Sequence, residues 1–105
     1  MRVYVEPTCY EVSCLPPEYK ARCHFTLTVE YRGNDRWAIC RHGMCYDTDG
    51  EQEYEALSTG RTDDFRVRFR FPLDEALEVA RRLAPDLKVN RFTVADALAN
   101  GPEWQ

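Results

Sequence analysis

The sequence predicts an α+β domain: an antiparallel β-meander of about four to five strands, followed by two or three C-terminal helices packed on one face. Three features predict it. Residues 22–31 and 36–41 alternate apolar and polar side chains on either side of a turn at Arg32-Gly33-Asn34-Asp35. A second hairpin signal, Asp49-Gly50, follows close behind. From Pro72 onward the apolar spacing changes to that of a helix.

Taken in order, Arg2–Glu6 and Thr8–Cys14 are rich in strand formers and flank Pro7, which suits an edge or a bulge. Leu15-Pro16-Pro17-Glu18 reads as a loop. In Arg22–Tyr31, Phe25, Leu27, Val29 and Tyr31 alternate with His24, Thr26, Thr28 and Glu30, giving one apolar and one polar face. Arg36–Arg41 returns with Trp37 and Ile39 on one face, and His42-Gly43 breaks it. Met44–Asp47 pairs with Gln52–Glu55 across Asp49-Gly50, and Ser58–Thr62 is a loop. Asp63–Phe71 has two readings. Alternation of Phe65, Val67, Phe69 and Phe71 suits a strand; Thr62 as N-cap, with Asp63 and Asp64 in the first turn, suits a helix, and the cap tips the balance. Leu73, Ala76, Leu77, Ala80, Leu83, Ala84 and Leu87 form the stripe of a core-facing helix that Pro72 opens and Pro85 stops. Thr93 and Asp96 begin a last short helix, with Val94, Ala97 and Leu98 inward and Gly101-Pro102 at its end.

The bulk numbers exclude several classes. A chain of 105 residues is expected to be one domain with a real core. Its net charge of −4 disfavours general binding of nucleic acid. No run approaches the ~18 apolar residues of a membrane span, and the charged, proline-containing N-terminus lacks a signal-peptide core, so a cytoplasmic protein is expected. The five cysteines are then expected to be reduced, most of them buried as small apolar residues.

The motifs point to binding rather than to catalysis, and no cofactor is implied. Cys9/Cys14 and Cys40/Cys45 each have four intervening residues, looser than a zinc knuckle; if a zinc site exists, Cys40, His42 and Cys45 are its best ligands. A Cys40–His42 nucleophile pair lacks an evident oxyanion site. Asp47-Thr48-Asp49-Gly50-Glu51 hints at a calcium loop, but with Gly50 at loop position six, position one is Cys45 and position twelve Ala56, so a hairpin turn fits better. Phosphate-binding glycine loops, serine elbows and zinc-protease motifs are missing. Glu51, Glu53 and Glu55 read as a solvated acidic edge. Arg61, Arg66, Arg68 and Arg70 are the densest basic segment, an alternative nucleic-acid surface if three of them share a strand face. Trp37, Phe25 and Phe69 are expected in the core. The six tyrosines are too many to bury, and Tyr4, Tyr10, Tyr46 and Tyr54 are the candidate partner-binding residues, including for a homodimer made through an edge strand.

The stretches YEVSCLP, FTLTVEYRG, RWAICRHGMCYDTDG, RTDDF, FRFPLDEALEVARRLAP and VNRFTVADAL resemble small uncharacterised proteins encoded by actinobacteriophages and some actinobacterial genomes. The resemblance covers most of the chain and carries no catalytic residues. It implies an accessory protein made in an actinobacterial cell, during phage infection or otherwise, that binds a host or phage protein.

Overall fold

The computed structural model describes residues 1–55 and 62–105. Five antiparallel strands follow one another in chain order: β1 (Cys9–Ser13), β2 (Thr26–Tyr31), β3 (Trp37–Arg41), β4 (Met44–Tyr46) and β5 (Gln52–Tyr54). Helices α1 (Asp63–Phe69), α2 (Leu73–Leu83) and α3 (Val94–Asn100) come after them. A two-stranded ribbon, β6 (Lys88–Val89) and β7 (Phe92–Thr93), precedes α3. The architecture is the α+β meander that the pattern predicts.

Each hairpin has a local cause. Gly33, Asn34 and Asp35 all take positive φ, and Arg36 N–H donates to the Gly33 carbonyl at 2.9 Å, closing β2 onto β3. His42 (φ 52°) and Gly43 (φ 78°) form the two-residue turn between β3 and β4, whose positive φ at both positions matches the twist of the strands. Between β4 and β5, Asp47 Oδ1 accepts from the backbone N–H groups of Asp49 and Glu51, each at 2.9 Å. Gly50 there has φ 82°, a left-handed conformation that favours glycine, and a Cβ on it would lie 3.1 Å from Leu83 Cδ2 and press on that side chain.

The two faces of the sheet carry different layers. Leu27, Val29, Trp37, Ile39 and Tyr46 point toward α2 and α3, where Ala76, Val79, Ala80, Val94 and Ala97 complete the main core. Leu98, expected inward, is exposed. The opposite face presents Ala38, Cys40 and Cys45, and Phe65 and Phe69 of α1 cover them. Helix α1 therefore lies on the side away from α2. Thr62 Oγ1 accepts from Phe65 N–H at 3.1 Å, so the N-cap reading of Asp63–Phe69 holds. Phe71 instead makes a two-bond bridge with the Trp37 backbone. In α3, Thr93 and Asp96 form the full capping box.

Three expectations are corrected. Arg22–Phe25 belongs to a 3₁₀ helix (Lys20–Phe25) rather than to the strand, with Ala21 and Phe25 buried in the core. Among the described residues Arg2–Glu6 pairs with no strand: the register ends at Cys9↔Glu30, with one further bond from the Tyr31 N–H to the Thr8 carbonyl at 2.9 Å, and Pro7 has no N–H to offer. Cys9, Cys14 and Cys23 are exposed, leaving only Cys40 and Cys45 buried, although all five are free thiols. Of the loop expected at Ser58–Thr62, all but Thr62 lies outside the described residues.

Candidate functional site

The β3–β4 turn brings two of the three expected zinc ligands together. Arg41↔Met44 closes the two-residue turn, so Cys40↔Cys45 is the next pair inward. In such a hairpin that pair is not hydrogen-bonded through the backbone, which draws its Cα atoms to about 4.5 Å and its side chains close. His42 occupies the turn itself and is exposed, so it does not join them. The expected set Cys40, His42, Cys45 is replaced by Cys40, Cys45 and Glu55, whose Sγ, Sγ and carboxylate atoms all lie within 4.8 Å of one another. Glu55, read from the sequence as part of a solvated edge, is largely buried; Glu53 and Glu51 remain exposed.

Two arginines bracket this carboxylate. Arg32 Nη2 donates to Glu55 Oε1 at 2.6 Å and Arg32 Nε to Oε2 at 2.9 Å, a bidentate fork. Arg70 Nη2 donates to Oε2 at 2.5 Å, and its side chain is only 7% exposed. The same guanidinium groups reach the thiols. Arg32 Nη2 lies 3.5 Å from Cys40 Sγ, and the Cys40 and Cys45 Sγ atoms lie within 4.8 Å of each other. Their acidities split: the neighbouring Cys45 sulfur, followed by burial, pushes Cys40 far up, while the Cys40 sulfur pulls Cys45 down, aided by the Arg70 charge against the opposing effects of burial and Glu55. The cluster suits a divalent cation poorly, since both Glu55 oxygens already accept from guanidinium groups that would repel it.

The arginine stripe does not form. Arg66 faces Asp63 at 3.4 Å on the surface; Arg68 binds Asp47 Oδ2 at 2.8 Å and Glu53 at 3.2 Å; Arg70 is the buried partner of Glu55. Arg61 lies outside the described residues. Folding α1 as a helix sends these side chains in different directions, so the flat basic face of the strand reading is lost. An open cleft of about 660 Å³ still has Arg32, Arg36, Arg66 and Arg70 on its walls.

Asp47 has no capacity left for calcium: one oxygen serves the turn and the other Arg68. Burial raises its pKa, but the Arg68 hydrogen bond and the two turn N–H groups more than offset that and hold it below the usual carboxylate value. A native pKa below the unfolded one contributes stability that is present above about pH 4 and lost as pH falls through the native value. Asp47→Asn keeps the turn acceptor and loses the ion pair. The stability gap between wild type and this variant, measured by urea unfolding, is expected to be largest at pH 7 and to shrink by pH 3; a gap independent of pH would refute the assignment.

The tyrosines are dispersed. Tyr46 is in the main core, which removes it as a contact residue. Tyr10 is half-buried against Trp37, ring centroids 5.6 Å apart. Tyr54 is exposed on β5, at the opposite edge of the sheet from β1. Tyr4 stands in an extended arm, and its neighbours change the picture: Val3 is 82%, Tyr4 73% and Val5 91% exposed. These side chains are open on both faces of the backbone. The arm leads straight into β1, an edge strand that pairs only with β2. The radius of gyration is 15.1 Å, above the ~13 Å of a compact chain of this length. Sequence reasoning saw Tyr4 but assigned Arg2–Glu6 a place in the sheet; the missing signal was a partner strand to receive it.

Among the described residues, no helix is long and apolar enough to cross a membrane. Comparison with protein-family models, with curated proteins and with solved structures returns no match.

Proposed function

We propose that this chain acts by non-catalytic protein–protein interaction, with Arg2–Glu6 and the open edge of β1 as its contact element. The observation that supports the reading is the arm: a Val-Tyr-Val run of strong strand formers, exposed on both faces and, among the described residues, without a strand to pair with. Such a segment gains backbone hydrogen bonds and buries its side chains by adding to another sheet. The resemblance to phage and actinobacterial proteins supports a host or phage protein as the receiver, in the host cytoplasm.

A second receiver is favoured by the charge pattern. Antiparallel pairing of two arms about Tyr4 sets Arg2 opposite Glu6, Val3 opposite Val5 and Tyr4 opposite itself. The arm is therefore complementary to its own copy, as a two-fold contact requires. An isolated two-stranded pairing is marginal in water, so this homodimer is expected to be weak and to rise with concentration.

The test has two parts. Tagged protein is used for a pull-down from an actinobacterial lysate, with and without nuclease, beside a Val3→Ser/Tyr4→Ser/Val5→Ser variant. One stoichiometric protein kept by wild type after nuclease and lost by the variant supports the reading; retention that vanishes with nuclease moves it to nucleic acid and the arginine cleft. Sedimentation then reads self-association. Arg2→Glu and Glu6→Arg should each abolish the dimer, and an equimolar mixture of the two should restore it, since each mixed contact pairs opposite charges. Monomers throughout, with an empty pull-down, would reject the arm as a contact element.

A further inference from the structure

We propose that Cys40 and Cys45 are a redox-active dithiol, which a small-molecule disulfide closes into a cross-strand bond.

The geometry for closure is already in the hairpin. A disulfide needs Cα atoms about 4.4–6.8 Å apart. The non-hydrogen-bonded pair one step in from the two-residue turn, Cys40↔Cys45, provides about 4.5 Å without moving the backbone. Both thiols lie on the same face, packed with Phe69, and their Sγ atoms are within 4.8 Å of each other. The surroundings favour thiol chemistry over metal binding. Reactive cysteines sit beside cationic groups, and here Arg32 Nη2 lies 3.5 Å from Cys40 Sγ while Arg70 is held nearby by the same Glu55. Both arginines are fixed in place by Glu55, whose carboxylate is thereby occupied.

The exchange balances without another reactant. One of the two cysteines, as its thiolate, attacks one sulfur of the small disulfide, forming a mixed disulfide and expelling one small thiolate. The other gives up its proton and attacks the first cysteine's sulfur, forming the protein disulfide and expelling the second thiolate. The two protons of the protein thiols end on the two released small thiols. The protein pair is oxidised by two electrons and the small disulfide reduced by two.

Access is through α1. Cys45 is fully buried and Cys40 nearly so. Their cover is a seven-residue helix held by Phe65 and Phe69 and by the Arg68 and Arg70 ion pairs. A helix that short is marginal alone and opens locally at lower free energy than the whole fold.

The experiment uses the full chain carrying Cys9→Ser, Cys14→Ser and Cys23→Ser, treated with oxidised glutathione and followed by intact mass and peptide mapping. Both thiols should disappear, the monomer should lose two hydrogens, one peptide pair should link Cys40 to Cys45, and dithiothreitol should reverse it. With either Cys40→Ser or Cys45→Ser added, the reaction should stop at a glutathione adduct on the remaining cysteine of the pair. Three results would each overturn the proposal: thiols that stay free until the protein is denatured, a wild-type product that stops at the mixed disulfide, or equimolar zinc that co-purifies and blocks the reaction. Circular dichroism on each variant shows that a loss of reaction is not a loss of fold.

Discussion

Replacing Glu55 by alanine is expected to lower folding stability by roughly 3–5 kcal/mol, the cost of leaving a buried charge without its partner. The carboxylate takes three hydrogen bonds from two guanidinium groups, and Arg70 is 7% exposed where it does so. Water cannot reach that guanidinium well enough to replace what is lost. Arg32, at 21% exposed, recovers more. For a chain of this size the loss corresponds to a fall in Tm of more than about 10 °C. The comparison that isolates the ion pair is Glu55→Ala with Arg70→Met. Removing the second charge should return much of the stability, since a buried pair replaced by apolar groups is often near neutral. Arg66→Ala, which breaks only a surface contact with Asp63, should change stability by no more than about 0.5 kcal/mol. A Glu55→Ala loss below about 1 kcal/mol would mean that the cluster is wetted in solution.

The five-stranded meander, its hairpins and the capped helices were legible because each rests on local chemistry, whereas the ribbon of β6 and β7, two residues to a strand, was not. Asp49-Gly50, His42-Gly43 and Thr93 with Asp96 specify their backbone whatever lies around them. The thiol cluster was legible only in part, and for a reason of distance along the chain. Cys40 and Cys45 meet through a turn that the sequence announces. Glu55 and Arg32 are 23 residues apart, and Arg70 is 15 beyond Glu55. Nothing local says that this glutamate, of three alternating on a polar strand, turns inward. The second layer of the sheet was hidden for a similar reason. Ala38, Cys40 and Cys45 are small and weakly apolar, so their face looks solvated until Phe65 and Phe69 arrive from α1. The arm was misread in the opposite direction. Val3-Tyr4-Val5 has the composition of a strand, but a strand is a pairing, and among the described residues no strand lies beside it. Intrinsic preference names what a segment can do and leaves open which chain it does it with.

Phe69→Ala is expected to cost about 3–5 kcal/mol and, in the same variant, to expose the dithiol. The ring is 0% exposed. It stacks on Phe65 at 4.7 Å between centroids, and Arg68 lies 4.7 Å over it. Truncation leaves a cavity between α1 and the sheet, directly above Cys40 and Cys45. In the background lacking Cys9, Cys14 and Cys23, iodoacetamide should then alkylate these two thiols about tenfold faster or more, because the free energy of opening α1 falls with the packing that holds it. A small domain has only about 5–15 kcal/mol to lose, so the rates belong at low temperature with folding checked by circular dichroism. Phe69→Leu provides the scale: it keeps most of the apolar volume and should lose less stability and gain less reactivity. The two readouts separate two ideas. Lost stability with faster alkylation supports α1 as the cover of the dithiol. Lost stability with unchanged alkylation would leave Phe69 as a core residue and place the entry to the thiols elsewhere, along the β2 side of the sheet where Thr28 borders Cys40.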